Sequence, residues 1–220
     1  HATRVLRLNE GDALRVFDEG LEFTATVVAI EKRAVAIEVG QAVPPLPERA
    51  VRLRLIMSPL KGDLTELVIQ KATELGVDRI SLAVFERTDT VARRDPDQTR
   101  LARWHRVAAG AAEQSGRAKV PRVDPVASLK QVMSTLGGAR AEEMRVVAAE
   151  PSLRGRTEPP RDPAAVQSVL VAVGPAGGLT EGDLEVLGAA SFLREHFALH
   201  TLRSETACLA ALAVLGDRFS

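Results

Sequence analysis

The pattern of apolar positions changes rhythm once along the chain, near residue 45. From residue 3 to 40 it comes in short runs: "RVLRL", "ALRVFD", "EFTATVVAI" and "AVAIEV". The turn-forming stretches "NEGD", "DEG" and "EKR" separate them. β-rich runs at that spacing predict a small β-barrel. Residues 41–50, "QAVPPLPERA", carry three prolines in four positions and can extend neither a strand nor a helix. They predict a linker, which divides the chain into domains at 1–45 and 51–220.

Beyond the linker the period alternates between strand and helix. Strands are predicted at 52–58, 79–85, 145–150, 168–173 and, last, at 197–202 ("FALHTL"). The runs "RVVAAE" and "SVLVAV" are apolar throughout, as in strands buried on both faces of a parallel sheet. A helix from Asp63 has Glu66 three residues on, Gly76 just past its end, and a stripe of Leu64, Leu67, Val68, Ala72 and Leu75. Further helices are predicted over 99–114, over "SLKQVMSTL", and over "TEGDLEVLGAA" with Thr180 as N-cap and Asp183 at the third position. "SETACLAALAVLG" closes the chain as a helix apolar nearly all round, which calls for burial or a subunit contact. The fold class expected is α/β with a mostly parallel sheet, preceded by the small barrel.

Composition narrows the setting. No apolar run reaches membrane-spanning length, no signal-peptide pattern opens the chain, and the single cysteine, Cys208, excludes a disulfide framework. A cytoplasmic protein is expected, with its natural N-terminus upstream of His1. Lys and Arg total 29, as do Asp and Glu, so the chain is not a general nucleic-acid coat. Residues 86–122 nevertheless hold nine basic groups against five acids, enough for a local phosphate-holding surface or a mixed-charge solvated face.

Candidate chemistry gathers at strand ends. "SVLVAVGPAGGLTEGDLEVL" runs from a strand into a turn with Gly174, Gly177 and Gly178, and then into a helix. No Lys follows the glycines as in a phosphate loop, and the spacing is not that of a dinucleotide fingerprint. Alone, the turn is explained by geometry. "AEP" (149–151) and "TLRSETACLA" (201–210) end two further strands, and open parallel sheets bind ligands at such ends. Glu205 also fits a structural role beside a helix N-terminus. His196 and His200 lack the glutamate of a zinc protease, Ser204 lacks a nucleophile elbow, and Cys208 sits in an apolar helix. Trp104, the only tryptophan, is read as core before it is read as a base-stacking platform.

Taken in order, "RVLRLNEGDALRVFD", "KGDLTELVIQKATELGV", "ERT", "AAEQSGR", "GPAGGLT" and "LRSETACLA" resemble the bacterial 16S rRNA methyltransferases that act on N3 of a uridine. These belong to the SPOUT class, and the resemblance covers nearly the whole chain. It implies a C-terminal trefoil knot holding S-adenosylmethionine, a PUA-like RNA-binding barrel and a homodimer, with no metal. Carried over, the cofactor would be held by Glu150, Gly174, Pro175, Gly177, Gly178, Leu202, Ser204 and Thr206. Arg203 or Arg117 would stabilise charge on the uracil, and Glu205 would accept the N3 proton. Arg4, Arg7, Lys61, Arg87, Glu113, Gln114 and Ser115 would contact RNA in the small ribosomal subunit. The barrel's five basic and seven acidic groups (residues 1–45) require that shape and a few phosphate contacts do that work. The chain departs from the family pattern at Ala176, where an acid is usual, and at Ala198 and His200, where a Gly and an Arg are usual. Another SPOUT target, or a non-catalytic RNA-binding assembly factor, is the alternative.

Overall fold

The computed structural model describes residues 8–18, 20–32, 34–90, 98–150 and 163–219. The strand expected at 4–8 falls outside them except for Leu8, as do Arg4, Arg7 and most of the Pro/Arg-rich stretch 151–163. Two compact units form, one of residues 1–47 with 112–120 and one of 48–111 with 121–220.

In the first unit β1 (Ala13–Asp18), β2 (Leu21–Ile30) and β3 (Val35–Val43) make an antiparallel sheet in that order. Asp18 pairs with Leu21 across a tight turn, and Gly20 supplies its positive φ of 86°. β3 runs to Val43, three residues into the stretch expected as linker. Long β2 still offers it partners there, since Phe23 pairs with Ala42 and Glu22 with Val43.

The second unit is built on β4 (Arg52–Met57), β5 (Val77–Val84), β6 (Arg122–Val123), β7 (Ala127–Ser128), β8 (Glu143–Ala148), β9 (Ser168–Val173) and β10 (Leu193–Glu195). All pairings are parallel, in the order β10-β8-β9-β4-β5-β6 with β7 also on β5. Its helices are α1 (Leu64–Glu74), α2 (Gln98–Ser115, whose last turn counts with the first unit), α3 (Leu129–Leu136), α4 (Glu181–Ala189) and α5 (Ser204–Arg218). Every residue of β9 is buried, because helices cover both of its faces. Leu53, Leu55, Met57, Val169 and Val171 pack with Val68 and Ile69 of α1, Trp104 of α2, and Cys208 and Leu212 of α5. Ile56, Leu170, Ala172 and Val147 pack on the other side with Leu129 of α3 and Leu187 of α4. Arg218 pairs with Glu195 at 2.7 Å, fastening the last helix to the edge strand.

Three local expectations change. At α1, Asp63 makes no side-chain cap because its backbone (φ −87°, ψ 3°) is turn-like rather than extended. Thr65 closes that end instead: its hydroxyl accepts from the Leu60 N–H at 2.9 Å and donates to the Leu60 carbonyl. The buried face of α1 is Thr65, Val68, Ile69, Ala72 and Thr73, which leaves Leu64 and Leu67 exposed. Residues 197–200 form bends and 201–202 are irregular, so no strand forms there. The edge strand is β10 just before them, and β8 ends at Ala148, so the chain beyond Glu195 has no ladder to extend. Thr180 and Asp183, by contrast, form the full capping box expected at α4.

Candidate functional site

Three strands of the second unit end on one side of the sheet, and the segments leaving them face a common hollow. β8 leads to Glu150, β9 to Gly174–Gly178, and β4 to Pro59–Lys61. The segment 197–202 and the first turn of α5 complete the wall. A narrow inner cleft of about 60 Å³ reaches under Gly174, Leu179 and Phe197. An outer hollow of about 750 Å³ shares Glu150, Pro175, Gly178, Thr201, Leu202 and Ser204 with it. A cofactor site typically occupies about 300–1,000 Å³, so the outer hollow is large enough and the inner cleft alone is not.

The glycines are set by close approach. A Cβ on Gly174 would fall 2.6 Å from Cδ2 of Leu179, and one on Gly177 would fall 3.1 Å from Cβ of Arg87. Gly178 has φ +77° and donates its N–H to the Pro175 carbonyl at 2.9 Å, closing the turn. A side chain there would also meet Glu150. The turn is braced from outside. Arg87 donates to the Gly177 carbonyl at 3.1 Å, and the Glu86 N–H donates to Asp183 at the start of α4. Thr88 is buried and structural: its hydroxyl accepts from the Phe85 N–H and meets Ser58 at 2.9 Å.

Of the residues singled out in the sequence, Glu150, Gly174, Pro175, Gly177, Gly178, Leu202 and Ser204 all line the hollow or its cleft. Arg203, Glu205, Lys61 and Arg87 line the outer part. Thr206 is exposed and is not in the lining. Glu113, Gln114, Ser115 and Arg117 belong to the first unit. There the Arg117 N–H bonds the Ala112 carbonyl at 2.9 Å, and Arg117 is buried. Ala176 faces the outer hollow, and Ala198 and His200 the inner cleft. Trp104 is buried in the core with Arg100 over its ring at 5.1 Å, so it offers no face to a base. His196 meets the Ala149 carbonyl through Nδ1 at 3.1 Å. Burial, and secondarily the Glu205 carboxylate, push the Cys208 thiol up, which keeps it protonated.

Sequence reasoning missed Pro59, Leu64 and Asp89 in the hollow's wall. Leu64 belongs to the apolar stripe of α1 by spacing, yet it is exposed at the hollow. Asp89, which pairs with Lys61 at 2.9 Å, directly follows the "ERT" motif and was legible by adjacency. The charged lining comprises Lys61, Arg87 and Arg203 against Asp89, Glu150 and Glu205. Such a lining suits a ligand that carries charges of both signs. The glycine cradle, which any Cβ would fill, suits one whose polar edges reach the backbone.

Known proteins resemble this chain over nearly its whole length. Residues 47–216 match the RNA methyltransferase domain family, and residues 1–40 match the RNA methyltransferase PUA domain. Ribosomal RNA small subunit methyltransferase E of Bacillus subtilis is 31% identical over 98% of this chain and 85% of its own length. The Mycobacterium bovis protein of that name is 30% identical over 98% of this chain and 82% of its own. The crystal structure of the Neisseria gonorrhoeae methyltransferase E bound to S-adenosyl methionine superposes with a TM-score of 0.85. It is 28% identical and covers 98% of this chain and 86% of that one. A Legionella pneumophila structure with bound SAM reaches 0.83 at 26% identity, over 99% and 87% of the two chains. The chain belongs to the RNA methyltransferase family that includes the small-subunit ribosomal RNA methyltransferases E.

Proposed function

We propose that this protein transfers a methyl group from S-adenosylmethionine to N3 of a uridine in the RNA of the small ribosomal subunit. One observation carries the reading: the Gly174–Gly178 turn opens onto the same hollow as Glu150, Arg203 and Glu205, in a chain of this family. When bound, S-adenosylmethionine supplies an electrophilic methyl group that needs no further activation. Backbone groups of Gly174, Gly177 and Gly178, with Glu150, Leu202 and Ser204, would hold it.

The rest falls to the chain's own side chains. Uridine N3 carries a proton and gains nucleophilicity only when that proton leaves. Glu205, half-buried in the first turn of α5, is the group to accept it. Arg203 sits at the N-cap of the same helix with its side chain exposed in the hollow, and is the cation that favours the uracil anion. Alignment in the hollow supplies much of the remaining rate, since the methyl donor is already activated. The reading extends to a cytoplasmic homodimer with a knotted C-terminal segment, in which 51–220 catalyse and 1–45 hold RNA. Glu113, Gln114 and Ser115 are its further candidates for RNA contact, and Arg117 is its alternative to Arg203 as the cation that favours the uracil anion. Incubating small-subunit rRNA with the protein and labelled cofactor, then digesting to nucleosides, tests it. Label in 3-methyluridine is expected, and label in any other nucleoside would overturn the target.

A further inference from the structure

Four arginines occupy one rung of the parallel sheet, away from the cofactor hollow. Arg122 on β6 is in register with Arg79 on β5, and Arg79 with Arg54 on β4. Arg54 pairs in turn with Leu170 on β9, and Leu170 with Arg145 on β8. In-register residues of parallel strands project from the same face, about 4.8 Å apart from strand to strand. This is the face that α3 and α4 cover farther along the strands, through Ile56, Ala83, Ala172 and Val147. At the arginine rung the face carries charge on either side of Leu170, which is buried in that apolar cluster.

Like charges side by side on a sheet repel and need compensation. Among the described residues, two carboxylates are paired with these four guanidiniums. Asp124 takes Arg79 in a two-pronged contact at 2.6 and 3.0 Å, and also takes Arg122 at 2.9 Å. Glu143 is committed to Arg145 at 2.7 Å and to the Ser168 hydroxyl at 3.3 Å, and lies 3.8 Å from Arg54. Arg145 is fully used inside the protein. Its Nη1 donates to the Ala190 carbonyl and its Nη2 also to the Gly137 carbonyl, at the ends of α4 and α3. The remaining three guanidiniums reach solvent, with side-chain exposures of 71% for Arg122, 35% for Arg79 and 25% for Arg54. Arg54 is the least compensated, and burial and then Arg79 hold its pKa below the usual arginine value.

We propose that the rung of Arg54, Arg79 and Arg122 is a docking site for the phosphate backbone of the RNA substrate, outside the nucleotide that is methylated. The planar guanidinium fork matches phosphate oxygens, and a row of forks along one rung follows a backbone rather than a single ion. Nucleic acid is the partner that supplies a run of phosphates. An acidic protein surface would supply carboxylates, and then RNA binding would not respond to the rung. The inference rests on RNA being the substrate.

The test uses the full chain and fluorescein-labelled small-subunit rRNA, titrated by anisotropy across a range of salt without cofactor. Arg54→Gln/Arg122→Gln is expected to bind about tenfold more weakly at low salt. Its log K against log[salt] slope is expected to be shallower by about 1.4, the loss of two single-strand phosphate contacts. Methyl transfer should show a raised KM at unchanged kcat, with unchanged S-adenosylmethionine affinity. The single variant Arg122→Gln, at the most exposed position, should show about half the slope change and guards against misfolding of the pair. Lys71→Gln, a surface cation on α1, is the control that should change nothing. Wild-type affinity and slope in both rung variants would overturn the proposal. Because anisotropy needs no turnover, absence of methyl transfer by the wild-type protein would sink the enzymatic reading while the rung is still decided by the slopes.

Discussion

The carboxylate of Glu150, at the end of β8, stands against the α-carbon of Gly178: a Cβ added there would lie 2.9 Å from Oε1. Gly178 also has φ +77°, where an L side chain is strained. Two independent constraints therefore meet at one residue of the Gly174–Gly178 turn. Gly178→Ala should cost about 1–2 kcal/mol in backbone strain alone and push Glu150 out of place. The expected outcome is a folded protein whose melting temperature no longer rises with added S-adenosylmethionine. A cofactor-induced rise as large as that of the wild type would contradict the role given to this turn.

Arg203 and Glu205 flank the start of α5 but are assigned different work. Arg203→Ala should lower kcat about 100-fold, the usual loss for one charge-stabilising donor, and leave cofactor affinity within about twofold. Glu205→Gln should lower kcat by a comparable or larger factor and flatten the acidic limb of the rate–pH profile. If Glu205→Gln keeps that limb, the proton goes elsewhere.

Trp104 supports the sheet and not the RNA. It is 1% exposed, and its indole Nε1 is one of two buried side-chain atoms without a hydrogen-bond partner among the described residues. Trp104→Ala should cost about 3–5 kcal/mol in a denaturant titration. Trp104→Phe loses volume but also removes an unsatisfied N–H, which costs about 1–3 kcal/mol when buried, so the two effects should nearly cancel. Neither change should alter RNA affinity in the folded protein.

Asp124 makes stability depend on pH. Burial pushes its carboxyl up, but hydrogen bonds from Arg79 and Ser81 and the charges of Arg79 and Arg122 outweigh that, so its pKa lies below the usual carboxylate value. A carboxyl depressed in the folded state stabilises above its unfolded pKa, about 3.9, and that contribution fades as pH falls through the folded value. Asp124→Asn should therefore lower the melting temperature at pH 7 and narrow its difference from the wild type below about pH 4. An equal deficit at both pH values would show that the lost contacts, and not the charge, set the effect.

The strand–helix alternation was legible because its signals are local. The fully buried β9, the Thr180–Asp183 capping box and the long helix α2 follow from periodicity and caps. The Leu64 stripe and the "FALHTL" strand were misread for a shared reason. Apolar periodicity says which residues can be buried, whereas the tertiary contacts decide which are. Leu64 lies at a cavity mouth, and 197–202 runs past the end of its ladder partner. The glycine turn could be found in the sequence, but its necessity could not. Leu179, Arg87 and Glu150 crowd it from distant positions. The arginine rung was invisible for the same reason: its members are scattered from 54 to 145 and meet only through strand register.

Calorimetric titration of the purified protein with S-adenosylmethionine, with S-adenosylhomocysteine for comparison, tests the central claim that the strand-end hollow is a working cofactor site. Saturable binding of both at one site per chain, lost in Gly178→Ala, is the predicted result. A folded protein that binds neither would contradict the account and leave a non-catalytic RNA binder.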